Sequence, residues 1–130
     1  MAQSIDGGGL GTTLGIRREV IEKDRVVLSM EVGPKVHQPF GVLHGGASAA
    51  LAESAASIGG NLNCAEGFVA LGAEINANHV RSVSSGTITA TAVPVHVGRT
   101  TQVWTIEIRS DEGKLICISR CTLAVIKREP

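Results

Sequence analysis

The chain has 130 residues, 43% of them hydrophobic and 18% charged, with twelve basic residues balanced by twelve acidic ones. That length suits one domain with a real core, and the composition is globular rather than disordered. Zero formal net charge leaves no electrostatic footprint for nucleic acid, and three aromatic residues (Phe40, Phe68 and Trp104) are too few for base-stacking platforms.

The chain begins with a glycine-rich stretch, GGGLGTTLG at residues 7–15. It lacks the G-K-[ST] ending of a phosphate loop and the G-x-G-x-x-G spacing of a dinucleotide fold. The expectation for residues 1–13 is a flexible N-terminal arm, with the domain proper at 14–130. No basic-then-apolar leader and no run of about 18 apolar residues is present, so a soluble cytoplasmic protein is expected.

Residues 14–21 and 25–32 alternate apolar and polar positions around the polar turn Glu22-Lys23-Asp24, which predicts a hairpin. Gly33-Pro34 ends it, and Gln38-Pro39-Phe40-Gly41 forms a tight loop. From about residue 43 the period becomes helical, with Leu43, Ala47, Leu51, Ala55, Ile58 and Leu62 on one stripe. Gly59-Gly60 weakens that helix and belongs to its last turns. Four strand-like runs follow, at 68–80, 86–96, 100–110 and 115–127, rich in Thr, Val and Ile. Their short connections predict antiparallel neighbours, and Pro94 predicts an edge or a bulge. One helix against an antiparallel sheet is an α+β domain.

Between Lys35 and Glu66 the only formally charged residue is Glu53. At about 100° per residue it points nearly opposite Leu51, among Gly46, Ala49, Ala50, Ser57 and Gly60. An ordinary water-facing helix surface carries several charges, whereas a face of small residues allows close approach by a ligand or another chain. An isolated carboxylate in such a cleft is suited to act as general base or nucleophile. His44-Gly45-Gly46 lies at the start of the helix, where backbone N–H groups lack internal partners and glycine leaves them accessible. Those donors could hold the oxyanion of an attacked carbonyl, although the same glycines equally suit a tight turn. A carboxylate with an oxyanion site but no strong acid fits a thioester better than an amide, because a thiol of pKa about 8.5 leaves readily. No G-x-S-x-G elbow argues for a serine esterase.

Cys64, Cys117 and Cys121 form no disulfide framework and no C-x-x-C pair, so they are expected to be reduced and mostly buried. His37, His44, His79 and His96 include no i,i+4 pair, and neither a metal site nor a cofactor is expected.

HQPFGVLHGGASAALAES, GAEINANHVRS and VHVGRTTQVWTIEI, in that order, resemble the hotdog-fold acyl-CoA thioesterases, nearest to the group acting on 4-hydroxybenzoyl-CoA and 1,4-dihydroxy-2-naphthoyl-CoA. The resemblance runs from about residue 14 to 126. It implies an antiparallel sheet wrapped around one long central helix, and hydrolysis of an aromatic acyl-CoA without a cofactor. It also implies roles. Glu53 matches the catalytic carboxylate and the Gly45 N–H the donor to the thioester carbonyl. Gln38 and His44 match polar residues at the reacting end, and Ser57 one that places water or the carboxylate. His96, Gly98, Arg99 and Thr100 match the region that meets CoA. Arg81 is a further candidate there, with a solvated strand-end charge as the alternative. The resemblance implies a homodimer with continuous sheets and shared active sites, pairing further into a homotetramer. Two other functions remain open at this stage: a hotdog dehydratase or hydratase using His37, and a non-catalytic acyl-CoA sensor, for which the chain has no spare length or basic charge.

Overall fold

The computed structural model describes residues 3–4 and 9–129. In chain order the elements are β1 (Gln3–Ser4), α1 (Leu10–Leu14), β2 (Arg17–Glu22), β3 (Arg25–Val32), α2 (Gly45–Leu62), β4 (Phe68–His79), β5 (Gly86–Val97), β6 (Thr101–Ser110) and β7 (Leu115–Lys127). The first predicted strand is therefore shorter than its pattern suggested. Leu14 closes a helical turn instead, because Gly15 adopts φ 75° and its N–H caps that turn by bonding back to carbonyls of α1. Six residues of the expected 1–13 arm lie outside the described set; of the rest, Gln3–Ser4 pair with β2 and residues 10–13 belong to α1.

All strand pairs are antiparallel, in the order β1-β2-β3-β5-β6-β7-β4. The sheet curves around α2, which packs against β2 through β7. Here one expectation fails: β4 and β5 are joined by a short connection but do not pair. β4 pairs with β7 at the far edge of the sheet. Residues 80–85, extended, reach roughly 20 Å, while β4 and β5 are only three strand spacings apart, or about 14 Å. A short connection can thus cross the open end of the curved sheet. It is pinned there by the Leu43 N–H donating to the Val83 carbonyl at 2.8 Å, and Gly86 at φ 87° turns it into β5.

Pro94 does sit at a bulge, between Pro94 and His96. Pairing of β3 with β5 ends at Val26 opposite Ala92, so the missing proline N–H falls where no strand asks for it. The core is the layer between α2 and the sheet: Leu51, Ala52, Ala55 and Ala56 meet Leu28, Ile88, Trp104 and Ile108, all fully buried. Burying a large apolar side chain stabilises by about 1.5–3 kcal/mol. The alanines let the helix lie close to the sheet. Gly59 and Gly60 carry this further, since a Cβ at Gly59 would overlap the Trp104 ring and one at Gly60 would overlap Leu123. That ring is held by its indole N–H donating to Gln102 Oε1 at 2.8 Å, and the Gln102 amide donates to the Gly60 carbonyl.

Candidate active site

The first turn of α2 leaves one backbone donor, the Gly45 N–H, without a partner among the described residues. His44 is the N-cap residue in extended conformation, and its Nδ1 accepts the Gly46 N–H at 2.8 Å. That bond satisfies Gly46 and fixes Nδ1 as the unprotonated ring nitrogen. The His44 carbonyl accepts from Ala47 and Ser48. Gly45 N–H has no intrahelical partner by its position. The loop before the helix turns through Gly41 at φ 79°, and the Phe40 N–H donates to Gln38 Oε1. The Gln38 amide N–H groups are then left to the adjoining groove, of about 360 Å³, lined by Gln38, Leu43, Gly45, Ser48, His79 and Arg81 among others.

His79 and Ser48 were missed in the sequence reading. The His79 imidazole lies against the Gly45 backbone, where a Cβ would come within 2.7 Å of Nε2. It ends β4, in the NANHVRS segment from which only Arg81 had been drawn. Ser48 is 1% exposed and was indistinguishable from its small neighbours. His37, the residue a dehydratase would need, has its Nε2 committed to the Ser84 carbonyl at 2.8 Å.

Glu53 is half-buried two turns further along α2 and makes no hydrogen bond or ion pair with another described residue. Its carboxylate lies on the backbone of Gly72, beside the bulge between Gly72 and Glu74 in β4, where any Cβ would overlap Oε2. Below it is Cys121, fully buried, whose thiol is pushed up to about 11 by burial and then by the Glu53 and Glu74 carboxylates. Eight residues of helix separate Gly45 from Glu53, a rise of about 12 Å. Within one chain the donor and the carboxylate therefore cannot reach the same carbonyl group.

The other predicted residues divide between two further places. Ser57, one turn beyond Glu53, lines a groove of about 360 Å³ with Arg18 and Ile21 of β2. Gly98 and Arg99 lie at the opposite end of α2 from Gly45, in a pocket of about 270 Å³ that includes Asn63, Cys64 and Ala65. His96 folds against Gly98, and the Thr100 carbonyl accepts the Val125 N–H at 2.9 Å. One chain thus brings Gln38, Gly45 and Arg81 into one groove, sets His44 in a neighbouring groove with His37 and Ala50, and keeps His96, Gly98, Arg99 and Thr100 apart from both. Among the described residues no group of three or more His, Cys, Asp or Glu side chains could hold a metal ion, and no helix is long and apolar enough to cross a membrane.

The family model described as Thioesterase superfamily matches residues 40–117, the span that carries the loop, α2, β4, β5 and β6. The chain is 52% identical over 120 residues to a 1,4-dihydroxy-2-naphthoyl-CoA hydrolase of Listeria monocytogenes, covering 92% of this chain and 98% of that protein. It is 44% identical over 128 residues to the protein of the same name in Escherichia coli, covering 95% and 93%. The fold superposes on the crystal structure of a Haemophilus influenzae thioesterase with a TM-score of 0.85 at 49% identity, covering 89% of this chain and 81% of that one.

Proposed function

Because the chain belongs to the thioesterase superfamily and is a thioester hydrolase, we propose that its substrate is an aromatic acyl-CoA of the hydroxybenzoyl or dihydroxynaphthoyl type and that Glu53 is its reacting carboxylate. The observation that carries the reading is Glu53 itself: a half-buried carboxylate on a face of small residues, with no partner among the described residues. The names of the relatives support the aryl preference.

Gly45 N–H polarises the thioester carbonyl and holds the oxyanion, while Gln38 and His44 line the same end. Glu53 acts at the carbonyl carbon in one of two ways. It attacks directly, giving an anhydride that water then hydrolyses to the free acid and the restored carboxylate, or it takes a proton from a water that attacks in its place. In both, the carbon–sulfur bond breaks, and the thiolate leaves to be protonated as CoA. A thiolate needs little help from an acid.

The 12 Å between donor and carboxylate implies two chains. β4 is a sheet edge of twelve residues. Phe68 N–H donates to the Ala65 carbonyl and both backbone groups of Ala70 are taken by Asn61, while from Gly72 to His79 the outer groups meet no further strand among the described residues. It carries Gly72, which touches Glu53, and His79, which touches Gly45. Two copies of β4 paired antiparallel with Gly72 opposite His79 would set Glu53 of one protomer beside Gly45 of the other. Each dimer then holds two sites, and a tetramer is a pair of such dimers.

The test is Glu53→Gln, which keeps shape and removes the charge. kcat on 4-hydroxybenzoyl-CoA should fall at least about 10²-fold, the scale of a general-base contribution, with sedimentation unchanged. Near-wild-type turnover would make Glu53 a bystander.

A further inference from the structure

Beyond Glu53 the exposed face of α2 runs into the groove shared with β2. Ser57 and Asn61 lie one and two turns on, about 6 and 12 Å along the axis. The groove is walled by Ile21, Ile58 and Leu62, and Arg18 enters it from β2. Its volume, about 360 Å³, lies within the range of small-molecule sites.

Arg18 is the unusual member. Its residue is half-buried, and its Nε is shut off from solvent with no hydrogen-bond partner among the described residues. The carboxylate beside it in the chain is already used: Glu19, at the bulge between Arg18 and Val20, accepts the Ser29 hydroxyl at 2.6 Å. Asn61 offers nothing either, because its amide is spent on the Ser57 carbonyl and on both backbone groups of Ala70. The groove therefore presents apolar walls, one hydroxyl and the Arg18 guanidinium, whose two terminal nitrogens remain as donors for an oxygen group.

We propose that this groove receives the far end of the acyl group, and that Arg18 selects acyl groups bearing an oxygen substituent, hydroxyl or carboxylate, there. The inference rests on Glu53 being the reacting carboxylate, since that places the thioester one turn away. An aryl ring fills the distance between them, with its distal substituent on Arg18.

The experiment compares kcat/KM for benzoyl-CoA, 4-hydroxybenzoyl-CoA and 4-carboxybenzoyl-CoA in the wild type, Arg18→Met and Arg18→Lys. The ratio of the carboxylated or hydroxylated substrate to benzoyl-CoA should fall about tenfold in Arg18→Met, the scale of one charge-assisted hydrogen bond. Arg18→Lys should recover part of it. Whichever substituent loses more identifies the oxygen that Arg18 holds. Equal losses on all three substrates would overturn the proposal and leave Arg18 a structural residue. A separate arm does not depend on turnover: calorimetric binding of terephthalate to Glu53→Gln, and its loss in the Glu53→Gln, Arg18→Met double variant. Binding that persists in the double variant overturns the role of Arg18 even if Glu53 proves inert.

Discussion

Cys121 shows how two carboxylates mark a buried neighbour that has no charge of its own. It is fully buried beneath Glu53, and burial followed by the Glu53 and Glu74 carboxylates raises its thiol to about 11. Cys117 is raised too, chiefly by burial, with the Asn78 backbone bond acting the other way. A thiol whose folded value exceeds the unfolded one near about 8.5 favours folding below that pH. The contribution is lost as pH rises toward the folded value. Urea midpoints should accordingly decline between about pH 8.5 and 11, and Cys121→Ala should flatten the decline. An unchanged slope in Cys121→Ala would place the effect elsewhere. The expectation of reduced, mostly buried cysteines agrees with three free thiols, two of them buried. The position of Cys121 under the carboxylate was not legible, because β7 is the last strand in the chain to meet α2.

At the scale of elements, α2 is the helix its period announces, within two residues of the expected start. Its Gly59-Gly60 pair means something different in the structure. Propensity alone would favour Gly59→Ala by about 1 kcal/mol. The Trp104 ring, however, occupies the place of a Cβ, and overpacking costs typically about 1–3 kcal/mol. Gly59→Ala should therefore lower the urea midpoint; a raised midpoint would show that the ring moves aside freely. From β3 onward the strands likewise follow their alternation and turn residues closely, whereas β2 begins three residues later than its pattern suggests. Their order does not follow, since six residues suffice both for a tight hairpin and for the crossing from β4 to β5.

For the whole molecule, the uncovered face of α2 and the bare edge of β4 raise the same question of what completes them. Ala49 is half-buried on that face, four residues before Glu53. If a second copy covers it, Ala49→Arg places a long charged side chain in the joint. Assembly and turnover should then decline together on the same diluted samples, read by sedimentation velocity and by assay. A fully active monomer would return the site to a single chain and would require another donor near Glu53. A desolvated carboxylate and an enclosed acyl group both depend on the second wall.

What the sequence by itself determined is what depends on neighbours along the chain. The helix at 45–62, the six long strands and the isolation of Glu53 among small residues follow from period, turn chemistry and composition. So does the accessible start of α2, although its glycines equally suited a turn until the structure showed the His44 ring satisfying Gly46. Tertiary structure alone decided which residues meet across the fold. It set His79 against Gly45, Gly72 under Glu53 and Arg18 beside Ser57, and it kept Arg99 at the other end of the helix. The physical reason is that local periodicity specifies which face a side chain takes on its own element. Contact between elements is fixed by strand order and by how closely glycine and alanine let backbones approach, and neither is written in any one segment.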